Sequence, residues 1–132
     1  MDNRKELLAE VMRELVGYYG HKYEQYDDPY VDVPNEELPD ISERSTEGET
    51  ALMLAAYTLG PREVQILIDH GADLDAKSDL DFQQTALAFA YQAGKMDNVA
   101  TLLAAGANPN IVDIGGRLPN HWLNIAKKMP NP

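Results

Sequence analysis

Residues 48–75 read GETALMLAAYTLGPREVQILIDHGADLD, and residues 83–110 read QQTALAFAYQAGKMDNVATLLAAGANPN. Laid on one another without a gap, the two stretches share Thr-Ala-Leu at 50–52 and 85–87. They also share Gly-Ala-Asp/Asn at 71–73 and 106–108, again at an interval of 35. A constant interval of this kind marks stacked copies of one supersecondary unit. Each copy holds two short helical patterns. Thr50 and Thr85 stand where a hydroxyl caps the first helix. Leu52, Ala55 and Ala56 give that helix a narrow face of small residues. Pro61 suits the first position of the second helix in copy one, and Asp97 suits its cap in copy two. Val64, Leu67 and Ile68 form an apolar stripe, repeated as Val99, Leu102 and Leu103. Gly71 and Gly106 end the second helices, where a left-handed residue is wanted. The spacing predicts inner helices over 50–58 and 85–93, and outer helices over 61–70 and 97–105.

Thr-x-Leu-x-x-Ala followed by Gly-Ala-Asp/Asn-x-Asp/Asn resembles the ankyrin repeat. That family's motif is Thr-Pro-Leu-His-x-Ala with a period near 33. Here Ala51 and Met53, then Ala86 and Ala88, replace the motif's proline and histidine. Two extra residues around Ser78–Phe82 account for the longer step. A third unit begins at Asp113: Asp113, Gly116, Pro119 and His121 resemble Asp-x-x-Gly-x-Thr-Pro-Leu-His, with Leu118 and Asn120 departing from it. A closing helix is expected over 119–128, stopped by Pro130. The resemblance covers roughly residues 45–128: degenerate repeats at 45–77 and 80–112, and a C-terminal half-repeat over 113–132. It implies an all-α stack of helix-turn-helix units, a non-enzymatic scaffold that binds other proteins.

The N-terminal segment shows no such motif. Asn3 and Glu6 form a capping-box-like pair. Leu7, Leu8, Val11, Met12, Leu15, Val16 and Tyr19 then recur at helical spacing. Two and a half repeats are marginal alone, because each unit buries its face only against its neighbours. Residues 1–20 are therefore expected to cap the open end of unit one, with dimerisation through the same stripe as the alternative. The whole chain, 1–132, reads as one domain, a monomer when free.

Between cap and repeats lies an acidic segment, 21–44. Residues 21–50 hold ten of the chain's 22 acids, together with Tyr23, Tyr26, Tyr30, Pro29, Pro34 and Pro39. Prolines interrupt helices and carboxylates resist burial, so an extended, mostly exposed stretch is expected: a solvated linker, or an arm for a basic partner. The net charge of -11 opposes binding to nucleic acid. The chain has no cysteine, which excludes disulfides, thiolate metal sites and cysteine catalysis and fits a cytoplasmic setting. No apolar run approaches a membrane span, and the opening Met1–Glu6 does not lead into a secretory core.

His21, His70 and His121 fit no ligand pattern, and no phosphate loop or nucleophile elbow occurs. No catalytic residue, cofactor or metal is therefore assigned. The repeat face offers a different candidate. The position four after the motif threonine is expected on the exposed side of the inner helix; it holds Leu54, Phe89 and Trp122. The position seven after holds Tyr57, Gln92 and Ile125. The loop tips add Glu47, Glu49, Ser78, Asp79, Asp81, Phe82 and Arg117. Of these, Leu54, Tyr57, Phe89, Trp122, Glu47, Glu49, Asp79, Asp81 and Phe82 make up the expected partner-binding set. Acids around an apolar centre suit a basic protein. The size and acidity resemble those of immunity proteins that neutralise a toxin; an adaptor or effector that recruits a host or regulatory protein is the alternative.

Overall fold

The computed structural model describes residues 3–26, 33–79 and 82–123. Among the described residues, five α-helices have both ends in place: α1 Arg4–Leu15, α2 Ala51–Thr58, α3 Pro61–Asp69, α4 Ala86–Gln92 and α5 Met96–Ala104. A 3₁₀ segment, Val16–Tyr26, extends α1, and a single 3₁₀ turn spans Asn35–Glu37. Among the described residues there is no strand. The fold is all-α, as the repeat implies.

Helices of seven to nine residues are too short to persist alone, so their stability comes from packing. Thr50 accepts a hydrogen bond from the Met53 amide (3.3 Å), and Thr85 from that of Ala88 (3.4 Å). Both inner helices thus start as the sequence predicts. Ala51–Ala56 of α2 and Ala86–Ala90 of α4 are buried on every face. Their alanines let the two inner helices pack side by side. The outer helices are amphipathic: Val64, Ile66 and Leu67 are buried on α3, and Val99 and Leu102 on α5. Pro61 opens α3, and Gly71 (φ 88°) and Gly106 (φ 103°) turn the chain after α3 and α5.

Four details of the helices differ from expectation. Asn3 precedes α1 but its side chain caps nothing, so no capping box forms. Asp97 is not the cap of α5: Gly94, at φ 71°, turns the chain early, the helix starts at Met96, and Asp97 falls in its first turn. There its charge still faces the positive end of the helix dipole. Leu103, placed in the buried stripe by periodicity, is exposed, because no further outer helix covers it among the described residues. Of the closing helix expected over 119–128, Pro119 and Asn120 form a turn and the helix begins at His121; residues 124–128 lie outside the described residues.

The stripe of α1 is covered by its own chain. Val11, Met12 and Leu15 are buried in the common core, and α1 packs against α3 and α2. It takes the place beside α3 that an outer helix of a preceding unit would take. Gly20, at φ 69°, breaks the 3₁₀ segment, and a side chain there would run into Thr46. Tyr19 is buried, and burial with the nearby Glu43 carboxylate pushes its phenol above the ordinary value.

The acidic segment is less open than its composition suggests. Tyr23, Val33 and Pro39 are buried, and Leu38 and Ile41 pack partly against the core. The Tyr23 hydroxyl donates to the Glu37 carbonyl (2.8 Å), and Arg13 of α1 reaches the Val33 carbonyl (3.4 Å) and Asn35. Apolar residues spaced between the acids tie 33–41 to α1, while Glu36, Glu37 and Asp40 stay exposed. Residues 27–32 lie outside the described residues.

One side chain stitches the repeats together. Asn98 of α5 is fully buried and donates from Nδ2 to the carbonyls of Ala56 (3.0 Å) and Leu59 (2.9 Å), at the end of α2. Asn98→Leu leaves those two carbonyls without a donor. It is expected to cost about 1–3 kcal/mol in a denaturant melt, against little change for the exposed Asp97→Ala.

Candidate functional site

The loops preceding the inner helices project as stacked fingers. Backbone bonds tie each finger to what precedes it: the Thr46 amide donates to Tyr18 of the 3₁₀ segment (3.0 Å), Asp79 to Gly48 of the first finger (2.9 Å), and Ile114 to Phe82 of the second (2.8 Å). Arg44 reinforces the stack. Its Nη1 donates to the carbonyls of Gly48 (2.9 Å) and Lys77 (2.8 Å) and lies 3.5 Å from the Asp79 carboxylate. Repeated backbone pairing thus sets the finger side chains at fixed positions beside the inner helices.

Where fingers meet inner helices, a cleft of about 300 Å³ opens, lined by Glu49, Tyr57, Phe82, Gln84, Phe89 and Gln92. Four of these were expected partner contacts: Glu49, Tyr57, Phe82 and Phe89. Tyr57 is 45% exposed and stands edge-on to Phe89, with ring centroids 6.3 Å apart at 89°. Phe82 is 43% exposed. Glu49 is half-buried and accepts from the Ser45 hydroxyl (3.3 Å).

The expected exposure of Leu54 and Phe89 is corrected by the structure. Leu54 is 3% exposed and Phe89 7%. The alanine-lined contact between α2 and α4 brings the helices so close that the position four after the threonine is covered. Phe89 forms the cleft floor, and Leu54 is core. Ser78 is also buried, not a tip: its amide donates to the Gln84 carbonyl (2.9 Å) and its hydroxyl accepts from the Gln84 amide (3.0 Å), closing the finger. Glu47 and Asp79 are exposed beside the cleft fingers. Asp81 and Ile125 lie outside the described residues.

Trp122 is half-buried and sits apart from the cleft lining, in a stack with Phe82 (centroids 5.8 Å). The Arg117 guanidinium lies 4.4 Å from the Phe82 ring centre and 5.1 Å from that of Trp122. Arg117 is aimed by Asp113, whose Oδ2 accepts from its Nε (2.8 Å). Burial of Asp113 opposes its charge, but the amides of Arg117 and Gly115 and the guanidinium outweigh it and hold its carboxyl below the ordinary value. A lowered carboxyl contributes stability that is present above its unfolded value and lost as pH falls through the folded one. Acidification to below the ordinary aspartate range should therefore release Arg117 and change the emission of Trp122, the only tryptophan. Asp113→Asn should show the acid-type emission at neutral pH; an unchanged spectrum would separate Asp113 from the stack.

Gln84 is the cleft residue that sequence reading passed over. It precedes the capping Thr85 and carries no motif, so only the finger geometry exposes its role.

Among the described residues, no helix is long and apolar enough to cross a membrane. Comparison with protein families matches residues 8–113 to a model of ankyrin repeats holding three copies. The match reaches back into α1, which lacks the repeat motif yet packs where a preceding outer helix would. It stops at Asp113, where the half-repeat read from sequence begins. Ankyrin repeats are protein–protein interaction modules. With stacked helix pairs, paired fingers and a family match over most of its length, the chain belongs to the ankyrin-repeat family.

Proposed function

We propose that the protein is an inhibitor that sequesters a basic protein, such as a toxin, on its finger-and-inner-helix face. The observation that carries this reading is the cleft, in which exposed Tyr57 and Phe82 stand over Phe89 with Glu49 in the wall. Glu47 and Asp79 extend the acidic rim. Aromatic anchors surrounded by acids match a partner whose contact surface is apolar at its centre and basic at its edge. A net charge of -11 steers such a partner in from a distance. The same arrangement covers a basic groove without any chemistry of its own, which is what an immunity-type inhibitor does.

The test is kinetic. A basic partner captured from the native source should associate several-fold more slowly when salt rises from low to physiological, with a nearly constant dissociation rate. Tyr57→Ala and Phe82→Ala should raise the dissociation rate about tenfold each at an almost unchanged association rate, as for desolvated anchors losing more than 1 kcal/mol. Phe89→Ala would also hollow the floor, so Tyr57 and Phe82 are the cleaner probes. An acidic partner, or association indifferent to salt, contradicts the electrostatic part. Dissociation unmoved in both variants removes the cleft from the interface.

A further inference from the structure

Beside the cleft lies a buried polar group with nothing to bond. Gln84 is 3% exposed, lines the cleft, and its side-chain Nε2 has no acceptor among the described residues. A buried amide nitrogen without a partner is costly and calls for an explanation. Its backbone does not supply one, since both main-chain groups are engaged by Ser78. Nε2 is itself covered, so meeting a ligand in the cleft requires the terminal amide to rotate about its last torsion, which is broad in glutamine. The orphan donor therefore asks for an acceptor in the cleft.

The surroundings select the acceptor. A carboxylate or phosphate would meet Glu49 in the wall and the exposed Glu47, on a chain of net charge -11. A neutral carbonyl meets no such repulsion. Of the remaining walls, Tyr57, Phe82 and Phe89 offer aromatic faces suited to a side chain beside that carbonyl, and Gln92 carries no charge.

We infer that the cleft receives an extended peptide segment of the partner, with Gln84 Nε2 donating to one main-chain carbonyl while an adjacent apolar side chain lies against Tyr57, Phe82 and Phe89. This rests on the reading of the cleft as the binding face, and it adds what the partner must present there: an exposed loop or strand with an unpaired carbonyl and an apolar neighbour, basic residues flanking it.

The experiment uses the full chain, labelled with ¹⁵N, and N-acetyl-leucine N′-methylamide as the probe, a single peptide unit with an apolar side chain. Titration should move the Gln84 side-chain amide protons downfield to saturation, together with the ring signals of Tyr57 and Phe82. In Gln84→Met, of similar shape but without the donor, the probe should bind at least about fivefold more weakly, the scale of one lost neutral hydrogen bond. The free variant should melt at the wild-type temperature or above, because an orphaned donor has been removed. A Gln84→Met melting point several degrees below wild type would mark Gln84 as a structural residue and overturn the inference. So would ring signals that move while the Gln84 amide does not, or no response up to the solubility limit of the probe. Butylguanidinium saturating the same signals, with Gln84→Glu strengthening it, would make the occupant a cation and overturn it as well. The two readings fail separately: a partner complex indifferent to Tyr57→Ala and Phe82→Ala removes the binding face even where the peptide unit still shifts Gln84.

Discussion

Leu102→Ala will destabilise the protein by about 2–5 kcal/mol, while Leu103→Ala, one residue along the same helix, will cost less than about 1 kcal/mol. Leu102 is fully buried, in the core where α5 meets α3 and α4; Leu103 is exposed. The larger loss has two parts, the transfer of the missing carbons and the cavity that closely packed neighbours fail to fill. A domain of this size commands about 5–15 kcal/mol in all, so Leu102→Ala removes a large share of it. Urea melts of both variants check the pair. Equal costs would place Leu103 under cover and the stack one helix longer on that side.

Deleting residues 1–20 will unfold the protein or drive it to aggregate at temperatures where the full chain is folded. The segment contributes Val11, Met12, Leu15 and Tyr19 to the common core and covers α2 and α3. It also supplies the Tyr18 carbonyl to which the first finger is bonded. Without it, the first unit presents a broad apolar face to water, and repeat stacks gain most of their stability from such interfaces. Circular dichroism and size-exclusion chromatography of the truncated chain give the readout. An unchanged melting temperature would show that the stack closes without α1. A full-length chain sedimenting as a dimer would mean that apolar surface other than this covered stripe is shared between copies.

Local chemistry was legible in the sequence wherever one residue type performs one backbone task. Thr50 and Thr85 cap, Pro61 opens a helix, and Gly71 and Gly106 adopt positive φ, each as its type and spacing foretold. Helical periodicity also told which side of α3 and α5 is apolar. It did not tell how near the adjacent helix stands. Leu54 and Phe89 therefore read as exposed, although α2 and α4 approach closely enough through their alanines to cover them. Leu103 failed in the opposite sense, since the stripe repeats but the covering helix does not. Asn98 and Gln84 were silent for another reason. Asn98 bonds to carbonyls 42 and 39 residues away, and Gln84 matters through the cleft it lines, so neither leaves a mark in its own neighbourhood of sequence. The acidic segment misled by composition: its few apolar residues, Tyr23, Val33 and Pro39, decide its placement against α1, and its many acids do not.

Amide hydrogen exchange of the chain, alone and saturated with its captured partner, tests most directly whether the finger-and-inner-helix face is the binding surface. Slowed exchange is expected in the finger amides of residues 45–50, 78–79 and 82–85 and at the C-terminal end of α2 around Tyr57. The amides of α1, α3 and α5 should keep their rates apart from a uniform gain in global stability. Added protection confined to α3 and α5, or to α1 and residues 33–41, with the fingers unchanged, would place the partner elsewhere and contradict the assignment of the cleft.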